Sequence, residues 1–278
     1  MPNALNVENI AIDGGAFQLH LVCYAAGEPV HFLNRKALVG SAKTHGVDHI
    51  HAFGAEDIDL AFREAMAGIL DQNRGAGYWL WKPYFILKVL EQAREGDWVV
   101  YIDSGARLRS SPRQLYEKVG CAEVILFQND YANGAWCKRD AFALMDVDDP
   151  EAHDQQQLDA SIVLVRNSAI SRQFVGTWLK YCQDARLLTD IPNSCGKPNL
   201  PEFVDHRHDQ SILSLLFWRE RNILPHMLLP RACKYHLVSH HRRRSDRIPI
   251  WLWHLSHDFF ESMYRRIRAN ADLHQTDQ

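Results

Sequence analysis

Asp97-Trp98-Val99-Val100-Tyr101-Ile102-Asp103-Ser104-Gly105 is the stretch on which the fold turns. An unbroken apolar run ends on an aspartate, with Gly96 before it and Ser104-Gly105 after it. Such a run, bounded by glycine at both ends, predicts a fully buried central strand. Asp103 then sits at the carboxyl end of that strand, where ligands bind in open α/β sheets. A carboxylate there is costly to bury unless it is hydrogen-bonded or holds a cation. Asp103 therefore either caps a turn or serves a ligand.

The surrounding sequence alternates strands and helices. Residues 19–25 predict a first strand and residues 47–53 a second, with a helix over 34–46 between them that ends at Gly46. Helical spacing of Ile58, Phe62, Met66, Ile69 and Leu70 predicts one helix over 56–72. A further helix over 83–94 starts at Pro83 and leads into the strand that ends at Asp103. Val124–Phe127 and Ser161–Val165 predict later strands, with helices at 169–184 and 209–220 and a loop over 184–200 between those helices. The expected fold class is α/β: one domain over residues 1–245, with a mainly parallel, mixed sheet flanked by helices.

Composition bounds the possibilities. The chain has 278 residues, enough for one large α/β domain with a small appendage. Its 46% hydrophobic and 23% charged residues are those of an ordinary globular protein, which excludes wholesale disorder. A formal net charge of −3 disfavours a general nucleic-acid binder, and no nucleic-acid partner is expected. Six scattered cysteines without a CxxC pair lend no support to a zinc ribbon or redox site and fit reduced, buried thiols. Glu8 and Asp13 interrupt the first thirty residues, so no secretory signal is read there, and no run approaches the roughly 20 apolar residues of a membrane span. The expected location is cytoplasmic.

Residues 246–278 differ in character. The run His240-His241-Arg242-Arg243-Arg244 precedes Ile250-Trp251-Leu252-Trp253, Phe259-Phe260 and Arg265-Arg266-Ile267-Arg268. This aromatic, basic and helical tail could lie in a membrane interface, at the inner face of the cytoplasmic membrane. It could equally be a terminal helix docked on the domain with its arginines in solvent.

The densest motif is Arg74-Gly75-Ala76-Gly77-Tyr78-Trp79-Leu80-Trp81-Lys82-Pro83. Its glycines permit close backbone approach or positive φ. Backbone amides with Arg74 and Lys82 could meet a diphosphate while aromatic faces line a sugar or base. The alternative is a glycine turn into a helix whose tryptophans are core. Asp209 starts the helix that follows a histidine-rich turn, either as its cap or as an acid–base group. His206 and His208, two apart on an extended segment, could face one side and ligate a metal opposite Asp103, or bond within the turn.

This string, followed about twenty residues on by Tyr101-Ile102-Asp103-Ser104-Gly105, resembles a group of bacterial nucleotide-sugar glycosyltransferases of the GT-A fold. Trp136-Cys137-Lys138-Arg139-Asp140, Gln157-Leu158-Asp159-Ala160-Ser161 and His206-Arg207-His208-Asp209-Gln210-Ser211 also resemble elements of that group, so the likeness runs over roughly 34–245. It implies donor binding by Arg74, Gly75, Gly77, Tyr78, Trp81, Lys82, Asp103, Ser104 and Gly105. Trp136, Lys138, Asp140 and Gln157 then fall on the acceptor side, with Lys138 and Asp140 as an ion pair. His241 and Arg242 would reach the diphosphate.

The resemblance also implies chemistry. Asp209 would be the general base of an inverting reaction, or Asp209 and Gln210 would stabilise an oxocarbenium-like centre in a retaining one. A divalent cation, Mn or Mg, is usual for such enzymes, held by a D-x-D triplet. Here the triplet reads Asp103-Ser104-Gly105, so either Asp103, with His208, is the metal candidate without its second acid, or the enzyme is metal-independent and Arg74, Lys82 and the basic tail neutralise the leaving diphosphate. The expected activity is transfer of a sugar from a nucleotide-diphosphate donor, a UDP-sugar first, to a glycan or lipid-linked acceptor in surface polysaccharide assembly. Two alternatives stand beside it: a non-catalytic sugar- or nucleotide-binding protein on a degenerate GT-A fold, and a sugar nucleotidyltransferase.

Overall fold

The computed structural model describes residues 17–116 and 120–240; the basic run beyond His240 and the tail at 246–278 lie outside the described residues. The strands are β1 (Leu19–Tyr24), β2 (His49–Phe53), β3 (Trp98–Ile102), β4 (Ala106–Leu108), β5 (Val124–Ala132), β6 (Gln156–Leu158), β7 (Ile162–Arg166), β8 (His226–Leu229) and β9 (Val238–His240). Seven of them form one sheet in the order β2-β1-β3-β7-β5-β6, with β8 also on β5, while β4 and β9 pair separately. β2, β1, β3, β5 and β8 run in one direction; β7 and β6 run against them. The sheet is thus mixed and mostly parallel, as the alternating pattern predicted.

The helices are α1 (Pro29–Thr44), α2 (Leu60–Ala65), α3 (Ala67–Leu70), α4 (Gly75–Tyr78), α5 (Trp81–Gln92), α6 (Arg113–Tyr116), α7 (Asn133–Trp136), α8 (Arg139–Leu144), α9 (Pro150–Asp154), α10 (Ala169–Cys182), α11 (Ala185–Leu188), α12 (Asp209–Glu220) and α13 (Arg231–Leu237). They cover both faces of the sheet, and the strand residues divide between the faces with period two. Val22, Tyr24, Val99, Tyr101, Val124, Leu126, Val163 and Val165 join the core beneath α5, α10 and α12. Leu21, Cys23, Trp98, Val100, Ile125, Phe127, Ile162 and Leu164 join the opposite core, beneath α1. Burial on both faces explains why β3 and β7 read as continuous apolar runs. Each large side chain so buried contributes roughly 1.5–3 kcal/mol, well above the roughly 0–1 kcal/mol of an exposed ion pair. The two cores therefore carry the fold.

Four local expectations change. The helix predicted at 34–46 starts at Pro29, whose fixed φ suits a first turn, and ends at Thr44, with Gly46 just beyond at φ +72°. The single helix predicted over 56–72 is a 3-10 turn (Ala55–Asp57) followed by the short α2 and α3. Its break is pinned from α5: Tyr84 donates to Asp59 Oδ2 at 2.6 Å, and Lys88 donates to the Asp57 carbonyl at 3.1 Å and to Asp59 Oδ1 at 2.9 Å. The loop at 184–200 contains α11, started by the Asp184 carboxylate accepting from Arg186 N at 2.9 Å. All six cysteines are free, but only Cys23, Cys137 and Cys182 are buried.

Candidate functional site

β3 delivers Asp103 to the carboxyl edge of the sheet, as predicted. The antiparallel β7 begins beside it, and Asp103 N donates to the Ser161 carbonyl at 2.9 Å. Ala106 N closes a turn onto the Asp103 carbonyl at 3.0 Å, and Ser104 and Gly105 lie within that turn. The Asp103 carboxylate accepts from the Tyr101 hydroxyl at 2.6 Å.

Lys82 enters from the first turn of α5. Its ammonium donates to Asp209 Oδ2 at 2.6 Å, lies 3.8 Å from Asp103 Oδ1 and sits 5.2 Å from the centre of the Tyr101 ring. A lysine at a helix N-terminus opposes the helix dipole and a buried ammonium loses its hydration, so these carboxylates are what hold it there. Burial lowers the Lys82 pKa, but Asp209 and Asp103 more than offset this and leave it above the usual lysine range. Burial pushes the Asp209 carboxyl up, against the partial opposition of Lys82, to about 6. Asp209 is therefore not a cap of α12: its carboxylate turns to Lys82, while its carbonyl accepts from Trp178 Nε1 at 3.0 Å. Of the three charged groups, Asp103 is the one open to solvent, at 20% side-chain exposure against 4% for Lys82 and 5% for Asp209.

A second buried pair adjoins the first. Lys234 of α13 pairs with Asp159 and donates to Ser161 Oγ at 3.2 Å. Burial raises the Asp159 pKa, but Lys234 and the Ser161 hydroxyl and amide outweigh it and hold the group at about 2. Nothing in the sequence marks Lys234, because a lone lysine 75 residues from its partner leaves no local signal. The only hint was Asp159 just before an apolar strand, the position that Asp103 mirrors after β3.

Gln210 and Gln157 come together. Gln210 Nε2 donates to Gln157 Oε1 at 2.7 Å, and Gln157 Nε2 reaches the Trp136 carbonyl and Ser211 Oγ, each at 3.2 Å. Trp136 thereby lies next to the Asp209–Gln210 helix start. Lys138 and Asp140 do not pair with each other. Lys138 donates to the carbonyls of Thr189 (3.3 Å) and Ile191 (2.6 Å), and Asp140 accepts from the amides of Ser194 and Cys195 at 2.8–2.9 Å. Both shape the loop over 189–195, so the ion pair expected at the acceptor side is replaced by two backbone anchors.

The motif from Arg74 forms a left-handed turn. Gly75, Ala76, Gly77, Tyr78 and Trp79 have φ of +59°, +50°, +96°, +52° and +60°. Tyr78 N donates to the Arg74 carbonyl at 2.7 Å and Trp79 N to that of Gly75 at 3.3 Å. A Cβ on Gly77 would meet Leu70 Cα at 2.8 Å, which fixes glycine there. The turn sends Trp81 inward, stacked on Tyr24 at 4.0 Å with its Nε1 on the Gly75 carbonyl. It sends Tyr78 and Trp79 to His208, at 4.9 and 5.4 Å between ring centres. Trp81 is thus core, and Arg74 is taken by Asp190 (2.9 Å) and Asp205 (2.8 Å).

His206 and His208 bond not within their own turn, as one expectation had it, but to the end of α11. His206 Nε2 holds the Leu187 carbonyl at 2.7 Å, and His208 Nδ1 holds that of Leu188 at 2.8 Å. Burial pushes the pKa of both down, so both are neutral imidazoles at pH 7. The Lys82 ammonium lies against both Asp103 and Asp209, and His208, bonded to Leu188 through Nδ1, keeps a buried Nε2 without a hydrogen bond, 3.9 Å from Asp190 Oδ1; among the described residues no group of three or more His, Cys, Asp or Glu side chains converges. His241 and Arg242 lie outside the described residues.

No protein-family model matches the chain, and no curated sequence matches it. Solved structures similar to it include apo mouse xyloside xylosyltransferase 1, at 11% identity and a TM-score of 0.42 over 77% of this chain and 84% of that one. The apo WbbM bifunctional glycosyltransferase is 12% identical, at a TM-score of 0.42, over 78% of this chain and 39% of its own. A glycosyltransferase involved in glycosylation of the major capsid of PBCV-1 is 9% identical, at a TM-score of 0.44, over 80% and 94%.

Proposed function

We propose that this chain is a glycosyltransferase that moves a sugar from a nucleoside-diphosphate donor, a UDP-sugar first, to a glycan or lipid-linked acceptor. The observation that carries the reading is the Asp103–Lys82–Asp209 cluster at the carboxyl edge of β3. Asp103, its solvent-facing member, binds the donor. Asp209 takes the proton of the acceptor hydroxyl as that oxygen bonds to the anomeric carbon and the bond to the diphosphate breaks. A base with a pKa near 6 is ionised at neutral pH yet still basic enough to accept that proton. The Lys82 ammonium supplies fixed positive charge beside the reacting groups. No step is assigned to a metal ion.

The test is donor hydrolysis and transfer with a panel of nucleotide sugars. Asp209→Asn should lower turnover by about 10²-fold or more and keep donor binding, while Asp103→Asn should weaken donor binding. A folded protein that neither binds nor turns over any donor overturns the reading. The second reading, a binding protein on a degenerate fold, draws on Gly105 in place of a second acid; donor binding without turnover in the unmodified protein would establish it. We place the reaction at the inner face of the cytoplasmic membrane, in surface polysaccharide assembly, with residues 246–278 as the contact. Removal of those residues should abolish binding to anionic vesicles and spare donor hydrolysis.

A further inference from the structure

Beside the helix start of α12 lies a cluster that the charge network above does not use. Tyr131, in β5, and Trp136, the last residue of α7, are half-buried, with ring centres 5.2 Å apart and planes at 49°. The exposed Arg207 lays its guanidinium over both, 4.3 Å from the centre of Trp136 and 5.5 Å from that of Tyr131. Arg231 stands 6.0 Å from the Tyr131 ring but is paired with Asp130. Arg207 has no carboxylate partner among the described residues, whereas Arg74, Arg139, Arg172, Arg186 and Arg219 each have at least one.

The backbone holds this cluster against the site. Arg207 N donates to the Trp136 carbonyl at 3.1 Å and to Ser211 Oγ at 3.0 Å. The same carbonyl accepts from Gln157, which holds Gln210. The cluster is therefore two hydrogen bonds from the residue beside Asp209. A guanidinium held over aromatic rings still carries its donors in a rigid fork, which matches a carboxylate or phosphate in two parallel hydrogen bonds. Aromatic faces next to such a fork suit the apolar C–H face of a pyranose.

We propose that Tyr131, Trp136 and Arg207 form an acceptor subsite for an anionic sugar, a pyranose bearing a carboxylate or a phosphate; this rests on the transferase reading above. Its test needs no donor. Titration calorimetry and quenching of tryptophan fluorescence would compare methyl glucuronide, glucose 6-phosphate, methyl glucoside and inorganic phosphate on the unmodified full chain. One or both of the anionic sugars should bind about tenfold or more tightly than the neutral glycoside, and the preferred one identifies the anion. Inorganic phosphate, lacking the ring, should bind more weakly than the sugar phosphate. Arg207→Gln should remove the preference without moving the melting temperature, since the side chain is exposed.

Equal binding of neutral and anionic sugars, no saturable binding, or an unchanged preference in folded Arg207→Gln overturns the subsite. If that variant fails to fold, loss of the preference at high salt in the unmodified protein supports the subsite, and its persistence overturns it. These results separate from the donor assay: donor turnover with no anionic preference removes the subsite alone, and anionic sugar binding without any donor turnover removes the transferase reading.

Discussion

Two aspartates bracket β3 and behave oppositely. Asp97, at the amino end, is buried and accepts from Gln18 N at 2.7 Å and from Arg94 N at 3.1 Å. Burial pushes its pKa up, but Arg94 and those amides outweigh it and hold the carboxyl below the ordinary range. It clamps the chain ends of β1 and β3. Asp103, at the carboxyl end, faces solvent beside Lys82. The position of each was legible in the sequence; which one served a cluster was decided by Lys82 and Asp209, far away in the chain. Asp209 yields a pH prediction with two signs. Its folded pKa of about 6 lies above the ordinary 3.8. Its contribution to stability is therefore fully present below about 3.8 and lost as pH rises through about 6. If it acts as base, activity runs the other way. The turnover rate should fall as pH drops through about 6, and a pH–rate profile should show that limb. In Lys82→Met, with its ammonium gone, the Asp209 pKa rises further; any residual activity should shift its limb upward. The variant should also lose about 3–5 kcal/mol, the usual effect of stranding one partner of a buried pair.

Among the elements, α4 departs most from what sequence reasoning supports. L-residues visit the left-handed region singly, at about 1–2 kcal/mol each, yet here Ala76, Tyr78 and Trp79 do so in succession. The stacking of Trp81 on Tyr24 and the packing of Tyr78 and Trp79 on His208 oppose that strain. The expected substitution effects invert the helical rule. Gly77→Ala adds strain and a collision with Leu70, and should lower stability by about 2–5 kcal/mol in a denaturant titration. Ala76→Gly, which costs about 1 kcal/mol inside an ordinary helix, should be neutral or stabilising here. The motif's two glycines announced a turn, but nothing local specified five successive positive φ values. The start of α12 at Asp209 was read correctly because loop residues give way there to a continuous apolar helix. The break at Ile58–Asp59 was not, because Tyr84 and Lys88 impose it from another helix.

Across the whole molecule, the reversal of β7 against β3 decides what meets at the site. Strands buried on both faces look alike whether parallel or antiparallel, so the apolar runs predicted the sheet but not this reversal. Because β7 starts where β3 ends, Ser161 and Asp159 arrive beside Asp103, and α13 can bring Lys234 to them. The partners come from distant parts of the chain: Lys82 and Asp209 are 127 residues apart, Lys234 and Asp159 75. Contacts of such separation form late, since the long loops between them must close first. A refolding chain should regain its helical circular dichroism before it regains donor binding, and stopped-flow mixing would resolve the two phases; simultaneous recovery would refute the order. The antiparallel seam then has a meaning in time: the chain can be nearly complete in secondary structure and still hold no assembled site, because the cluster closes only when the last third of the sequence docks onto the first.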